Sequence, residues 1–240
     1  MFKFKNKIYR HKFTYSNSRE TLILNKCRNK KVLHIGACDA PYTQEKYKNA
    51  SLLHGKIANV AKKVIGIDND SEQIKFLNSK GFSIQYQNLN KRSKISFQPE
   101  VIIFGETIEH LTNFDAVFKS LKGIMTNKTE LIISTPNSYS LMYFVANLFG
   151  FEFINPDHKT SFSMASLKQL LNFQGFLVKD CYFTHLEKNK NNDGLPFKVF
   201  RLLSRFFPTT ADTILVSCYL KSWDTSLFLK KKKNEPKAKR

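Results

Sequence analysis

The chain has 240 residues, 42% of them hydrophobic and 13% aromatic, which is enough to bury one sizeable core. Its four cysteines form no CxxC pair, which argues against a zinc site or a disulfide scaffold and favours a reducing, cytoplasmic location. No apolar run reaches the ~20 residues of a membrane-spanning helix, so we predict no transmembrane segment, and the basic first residues do not resemble a signal peptide.

The formal net charge of +20 is concentrated near the two ends of the chain. Residues 1–31 hold ten Lys/Arg and one acidic residue, and residues 230–240 hold seven Lys/Arg and one acidic residue. We predict a basic N-terminal extension at 1–28, one domain at 29–222 and a basic, disordered tail at 223–240. The ends are compatible with peripheral contact to an anionic membrane or to nucleic acid. A lysine-rich chain is also typical of an AT-rich genome, and we favour that explanation over nucleic-acid binding.

From residue 31 onward, short apolar runs alternate with helical patterns, which predicts βα units. Strands are predicted at 32–35, 64–67, 82–86, 101–104, 131–133, 176–182 and 214–220. Helices are predicted from Leu53, from a cap at Asp70 or Ser71 to Gly81, around Phe114, from Ser163 to Gly175, and at 197–207, with a loop at 189–194. This order predicts an α/β fold with a doubly wound, mostly parallel sheet.

Residues that directly follow the predicted strands are candidates for ligand binding, because parallel sheets bind ligands at the carboxyl ends of their strands. Gly36 allows a close backbone turn, the Asp68 carboxylate can accept hydrogen bonds from a ribose, and the Asn88 amide can contact an adenine. The gap of 32 residues from Gly36 to Asp68 and the missing glycines disfavour an NAD site. No P-loop motif is present either.

Five further segments follow one another along the chain: VLHIGACDA at 32–40, VIGID at 64–68, GETIEHL at 105–111, ISTPN at 133–137, and NPDH at 155–158 with the helix that follows. Together they resemble class I S-adenosylmethionine (SAM)-dependent methyltransferases, in particular the ubiquinone-biosynthesis-type and bacterial glycan-cluster enzymes. The resemblance spans roughly residues 30 to 183. Each segment alone is weak, whereas five in order at compatible spacing are specific.

The resemblance implies a Rossmann-like sheet of seven strands, a methyltransferase activity and SAM as the cofactor. By matching position, the implied cofactor-binding residues are His34, Gly36, Ala37, Cys38, Asp39, Ala40, Asp68, Asn69, Asn88, Leu89 and Glu106. The chain departs from the family where His34 replaces an acidic residue and where Cys38 and Ala40 replace glycines. These departures leave open a non-catalytic module that keeps the fold and binds RNA or anionic membrane through its basic ends.

Methyl transfer requires an aligned acceptor and, for a hydroxyl acceptor, a base. The predicted catalytic residues are Glu106, His110 and His158, and the predicted acceptor is a small molecule, a lipid-linked intermediate or a glycan. The main interpretation includes no metal ligand. As an alternative, Glu106, Glu109 and His110 with His158 downstream resemble the metal-binding set of small-RNA 2′-O-methyltransferases, in which an ion would hold the acceptor hydroxyls.

Overall fold

The computed structural model describes residues 12–89, 97–186 and 194–221. In these residues the strands are β1 (Thr14–Tyr15), β2 (Lys31–Ile35), β3 (Lys63–Asp68), β4 (Ile84–Tyr86), β5 (Val101–Gly105), β6 (Glu130–Pro136), β7 (Phe176–Thr184) and β8 (Thr213–Leu220). The helices are α1 (Arg19–Cys27), α2 (Thr43–Lys48), α3 (Leu53–Val60), α4 (Ser71–Ser79), α5 (Phe114–Lys122), α6 (Leu141–Leu148), α7 (Met164–Phe173) and α8 (Leu195–Phe206).

The strands form one sheet in the order β1-β7-β8-β6-β5-β2-β3-β4. Strand β8 is antiparallel to β6 and β7, and every other pair is parallel. The strand order reverses between β2 and β5, which is where open α/β sheets bind ligands. The predicted doubly wound, mostly parallel sheet is confirmed and all seven predicted strands are present, with β1 as an addition at one edge.

The central strands are buried on both faces, as expected for a sheet with helices on each side. In β2, Leu33 and Ile35 pack in the cluster that includes α5 and α7, whereas Val32 packs on the opposite face with residues of α1 and α3. The alternation follows from the two-residue period of a strand. The two clusters hold the strand ends in register, so side chains beyond those ends have fixed positions.

Side-chain caps define several helix starts at the predicted places. Asp70 accepts hydrogen bonds from the backbone N–H groups of Glu72 and Gln73 at the start of α4. Ser163 caps α7 and forms a capping box with Ser166. These caps satisfy N–H groups that have no partner inside the helix.

Residues 12–28 contribute structure within the predicted N-terminal extension. In α1, Ile23 and Cys27 are completely buried against the sheet, and β1 pairs with β7. A two-residue strand carries too little pattern to be recognised in a sequence, and the lysines and arginines around α1 obscure its apolar face. Residues 1–11, the predicted loop at 189–193 and the predicted tail at 223–240 lie outside the described residues.

Candidate active site

The candidate site lies at the edge of the sheet formed by the carboxyl ends of the parallel strands. Gly36 and Asp39 follow β2, Asp68 ends β3, and Glu106 follows β5. Because β8 runs in the opposite direction, Asp212 reaches the same edge by preceding β8. The topology thus brings residues from four parts of the sequence to one edge.

The loop after β2 approaches the loop after β5 so closely that only glycine fits at its start. Gly36 has a φ of +71°, and a Cβ there would lie 2.3 Å from Thr107 Oγ1. The backbone N–H groups of Gly36 and Ala37 donate to the Ile67 carbonyl, at 3.0 and 3.3 Å. The predicted need for a residue without a side chain at position 36 therefore has a steric basis.

Asp68 fixes this loop by accepting backbone hydrogen bonds. The Cys38 N–H donates to its Oδ2 at 2.8 Å, while the N–H groups of Asn69 and Asp70 donate to its Oδ1 at 2.8 and 3.2 Å. A carboxylate has about four acceptor positions, so these three bonds leave Asp68 about one position for a further donor. The side chain is half-buried and can therefore be reached by a ligand hydroxyl.

His34, predicted to contact the cofactor, is an internal residue that stacks on His54 of α3. The rings lie 12° from parallel with centroids 5.4 Å apart, and their Nδ1 atoms are 3.2 Å apart. Burial lowers the pKa of His54 to about 4 and holds the pKa of His34 well below its ordinary value. Both rings are neutral near pH 7, so His34 does not replace the negative charge of the family's acidic residue.

The other predicted cofactor residues occupy two places along the edge. Asp39 has a φ of +59° and forms an ion pair with Lys46 of α2, with Nζ and Oδ2 2.5 Å apart. Asn88 and Leu89 follow β4, and Leu89 packs against the main core cluster. Ala40 is exposed beyond the loop. Asp39, Asp68 and the loop after β4 thus extend over three adjacent strands.

Glu106 occupies a strained position directly after β5, with a φ of +48°. Its Oε1 lies 3.8 Å from Nη1 of Arg19, and the same Nη1 donates to Ser134 Oγ at 3.0 Å. Burial raises the pKa of Glu106, and the nearby charges of Asp212 and Asp39 raise it further while Arg19 opposes them. Glu106 therefore lies within electrostatic range of two other carboxylates and of one guanidinium.

Glu109 lies one short 3₁₀ turn further along, at residues Ile108–His110. Its side chain is 2% exposed and accepts a hydrogen bond from Thr135 Oγ1 at 3.0 Å. Burial, with the adjacent Glu106 charge, raises the pKa of Glu109 to about 8. The α-helix begins only at Phe114, capped by Asn113. Glu109 therefore precedes α5 by several residues, and its side chain lines a cavity at the site.

His110 and His158 meet edge to face beside Glu109, with ring centroids 4.7 Å apart. The Nδ1 of His110 lies 3.2 Å from the Asp157 carbonyl, which can only accept, so Nδ1 donates. His158 Nε2 lies 3.9 Å from Glu109 Oε1. Burial and the adjacent His110 lower the pKa of His158, which leaves it neutral and able to accept a proton near pH 7.

Four residues at this edge were missed by the sequence analysis. His185 follows β7 and its Nδ1 lies 2.9 Å from Asp212 Oδ2, while Tyr143 of α6 lines a cavity with both of them. Arg19 was overlooked because it lies in the predicted extension. His185 directly follows β7 and could have been found by the strand-end rule, whereas Asp212 precedes the antiparallel β8 and is not found by that rule.

Several buried polar atoms around the acidic group have no hydrogen-bond partner among the described residues. They are Glu106 Oε1, Glu109 Oε1, Arg19 Nε and His185 Nε2. Buried polar atoms are normally paired, so such a concentration indicates a place where a ligand supplies partners. The fold brings four predicted residues together here, namely Glu106, Glu109, His110 and His158. Asp39, in the loop after β2, and Asp68, at the end of β3, lie further along the same edge.

Comparison with solved structures identifies the fold. SAM-dependent methyltransferases from Archaeoglobus fulgidus, Aquifex aeolicus and Mesorhizobium loti match at TM-scores of 0.51, 0.53 and 0.52. The matches cover 84%, 85% and 83% of this chain and 90%, 90% and 95% of theirs, with sequence identities of 18%, 13% and 10%. This chain therefore has the class I methyltransferase fold.

The sequence matches no family model and no curated protein. The fold is thus shown by structure alone. Within the described residues, none of the helices combines the length and apolar character that crossing a bilayer requires.

Proposed function

We propose that this protein is a SAM-dependent methyltransferase that acts on a hydroxyl of a small-molecule, lipid-linked or glycan acceptor. The observation that carries the proposal is the acidic group of Glu106, Glu109, Asp39 and Asp212 at the ligand-binding edge of a methyltransferase-fold sheet. Burial is the main cause of the raised pKa values of Glu106 and Glu109, and neighbouring carboxylates add to it, so a positive charge bound nearby would stabilise the charged forms. A sulfonium cation would supply it, in a chain whose net charge is otherwise +20.

The residues at the other end of the edge fit the remaining parts of the same cofactor. The free acceptor position of Asp68 suits a ribose hydroxyl, and the loop 36–40 suits the methionine part. Asn69, Asn88 and Leu89 would border the ribose and adenine. The cofactor supplies the methyl group and its own leaving group, so this chain has only to align the acceptor and accept its proton.

Two histidines are candidates for accepting that proton. His158 is neutral near pH 7 and lies beside the acidic group. His185 is held by Asp212 through Nδ1, which directs the unpaired Nε2 to an incoming proton donor in the manner of a histidine–aspartate pair. Tyr143 lines both the cavity beside His158 and the cavity beside His185. Tyr143 would therefore contact two parts of one acceptor molecule, one in each cavity, and orient them.

Cofactor binding is tested by isothermal titration calorimetry with SAM and S-adenosylhomocysteine (SAH), with ATP as an adenosine-containing control. We expect both SAM and SAH to bind and to raise the melting temperature, and ATP to do neither. Absence of binding and of thermal stabilisation at millimolar SAM and SAH would contradict the proposal. Transfer of tritium from methyl-labelled SAM to acceptor mixtures then tests catalysis, with His158→Gln and His185→Gln compared to identify the base.

A second candidate, a metal-dependent RNA 2′-O-methyltransferase, is favoured by one observation. Potential ligand atoms of Glu109, His110 and His158 all lie within 4.8 Å of one another. His110 also donates its other ring nitrogen to a backbone carbonyl, as metal-bound histidines do. Glu106, the fourth residue of the resembling set, is not in this cluster. An ion held here would position the acceptor hydroxyls.

The metal variant is tested on the protein without acceptor by calorimetry with Mn²⁺ and Co²⁺. Specific binding that is lost in Glu109→Gln and kept in the exposed control Glu152→Gln would support it. Binding that is equal in both variants, or methyl transfer that is unaffected by a chelator, would exclude it in favour of the metal-free enzyme.

A further inference from the structure

Two helices beside the candidate site present a broad apolar surface to solvent. The α6–α8 surface comprises the exposed apolar side chains of α6, of the segment 149–154 that follows it, and of α8. Its most exposed members include Phe149, Phe151, Phe153, Leu195, Leu202 and Phe206. The two helices contact each other and enclose the cavity lined by Tyr143, Phe200 and His185. Exposed apolar surface on this scale marks an interaction site rather than ordinary surface variation.

Helix α8 has an apolar stripe that faces away from the protein. Leu195, Val199, Leu202 and Phe206 are spaced four, three and four residues apart, which places them on one side of the helix, and they are 75%, 43%, 52% and 73% exposed. Ser204, on another side, is 1% exposed and faces the cavity. Helix α8 therefore packs on the domain through one side and exposes the apolar stripe on another.

The segment after α6 adds three exposed phenylalanines at alternate positions. Phe149, Phe151 and Phe153 are each more than 60% exposed, and no residue from Phe149 to Asp157 is buried. Glu152 and Asp157 are the acidic residues of this segment. Three phenylalanines in one exposed segment supply apolar rings without a hydroxyl or ring N–H that would require a hydrogen-bond partner.

The charges on α8 indicate the chemistry of the partner. All of its charged residues are basic, and the chain as a whole carries a net charge of +20. Lys198 and Arg205 are the exposed ones, whereas Arg201 lines the cavity and donates to the Leu186 carbonyl at 2.7 Å. An exposed apolar stripe of phenylalanine and leucine flanked by basic residues is the pattern of helices that lie in the surface of an anionic bilayer. Contact with a second copy through the same stripe would bring two sets of basic residues together, which is unfavourable.

We propose that the α6–α8 surface docks on an anionic lipid bilayer, with the stripe and the phenylalanines in the interface and the basic residues at the lipid headgroups. The cavity between α6 and α8 then lies next to the membrane. A lipid-linked acceptor would reach the site directly from the bilayer. Membrane docking does not depend on the proposed methyl transfer. The vesicle experiment can therefore contradict the docking proposal while SAM binding and methyl transfer are still observed, and the reverse also holds.

Docking is tested by sedimentation of the full-length protein with vesicles of phosphatidylglycerol and phosphatidylcholine, or of phosphatidylcholine alone. The test variant is Leu202→Ser/Phe206→Ser, and the matched control is Phe173→Ser/Leu177→Ser, which removes the same two residue types from exposed positions on α7 and β7. Measurements in about 1 M salt, where the Debye length is ~3 Å, suppress binding by the basic ends alone.

We expect the wild-type protein and the control variant to bind the anionic vesicles and the test variant to bind at least tenfold more weakly. Lys198→Gln should weaken binding about threefold on anionic vesicles at low salt and leave binding to neutral vesicles unchanged. Phe149→Ser/Phe151→Ser tests the other half of the surface and should also weaken binding. Circular dichroism establishes that each variant is folded.

Two results would overturn the proposal. One is equal vesicle binding, or no binding, by the wild-type protein and Leu202→Ser/Phe206→Ser. The other is a concentration-dependent dimer, measured by light scattering, that this variant abolishes while vesicle binding stays the same, because the surface would then be covered by a second copy.

Discussion

At the ends of β2 and β3, the two carboxylates of the candidate site are paired within the chain, whereas at the ends of β5 and β7 several buried polar side chains are not. The buried Nε2 of His54, behind the loop after β2, also has no hydrogen-bond partner among the described residues. Asp68 accepts three backbone hydrogen bonds, Asp39 pairs with Lys46, and His34 pairs with His54. In the second region, Glu106, Glu109 and His185 each keep a buried polar atom without a hydrogen bond among the described residues.

This difference assigns different roles to the two regions. The first is preorganised and stabilises the fold, so changes there should alter stability and binding together. The second carries an unfavourable concentration of carboxylates that lowers the free energy of unfolding and that a cationic ligand would relieve. Changes there should alter binding while leaving the fold intact or even stabilising it.

The largest effect is expected for Asp68→Ala, which removes the carboxylate from three backbone N–H groups. Hydrogen bonds to a charged group contribute roughly 1.5–3 kcal/mol each, and water replaces part of this at a half-buried site, so we expect a loss of about 3 kcal/mol. The melting temperature should fall by about 6–12 °C. SAM affinity should fall at least tenfold in calorimetry. Glu72→Ala, in the first turn of the neighbouring α4, is the control, and an equally small change in both variants would contradict the structural role of Asp68.

The buried histidine pair of the first region predicts instability in acid. Unfolded His54 takes up a proton below pH ~6.5, whereas the folded protein resists protonation until pH about 4. The free energy of unfolding should therefore fall as the pH drops through this interval, by about 3 kcal/mol for His54 alone. His54→Gln removes that titration and should flatten the pH dependence of the melting temperature. An unchanged slope in His54→Gln would exclude the buried pair as its cause.

The second region predicts the opposite sign. Because the pKa of Glu109 is raised from 4.5 to about 8, the folded protein holds a proton that the unfolded chain releases between these values. The free energy of unfolding should fall as the pH rises through this interval. The Gln side chain in Glu109→Gln stays neutral at every pH. The free energy of unfolding of this variant should therefore exceed that of the wild type by about 1 kcal/mol or more at pH ~9 and equal it at pH ~5, in a chelator-containing buffer. Unfolding curves at both pH values measure this, with Glu152→Gln as the exposed control.

A Glu109→Gln variant that is less stable than the wild type at both pH values would contradict this assignment. It would mean that the hydrogen bond from Thr135 to the carboxylate contributes more than burial of the charge costs. Charged side chains would then stabilise the folded state in both regions, and the proposed difference between the regions would be lost.

The sequence predicts the sheet well because hydrophobic periodicity and helix caps are local signals. The seven predicted strands, the cap at Asp70 and the cap at Ser163 all correspond to observed elements. The N-terminal α1 was missed because its basic surroundings conceal two buried residues, Ile23 and Cys27.

The candidate site was predictable only in part, since its chemistry depends on contacts between distant residues. The motif at 105–111 identifies Glu106 and His110, but nothing local indicates that Arg19 will lie beside Glu106 or that Asp212 will hold His185. Likewise, His34 was predicted to contact the cofactor from its position in the loop motif. Only the fold reveals that His54 comes from α3 to cover it.

The smallest and most specific effect is expected for Glu106→Gln. The sulfur of SAM carries a positive charge that SAH lacks, so the ratio of their affinities measures how far the carboxylates favour the cation, while contributions common to both ligands cancel. Because burial and nearby carboxylates raise the pKa of Glu106, that ratio should increase with pH in the wild-type protein as Glu106 and Glu109 lose their protons. In Glu106→Gln the ratio should be about three- to tenfold lower at pH ~9 and less dependent on pH, which corresponds to roughly 0.7–1.4 kcal/mol of lost charge interaction. Calorimetry with both ligands measures it, and Glu152→Gln should leave it unchanged. An unchanged ratio in Glu106→Gln would mean that the sulfonium binds elsewhere along the edge. Glu106 would then interact with Arg19 and not with the ligand.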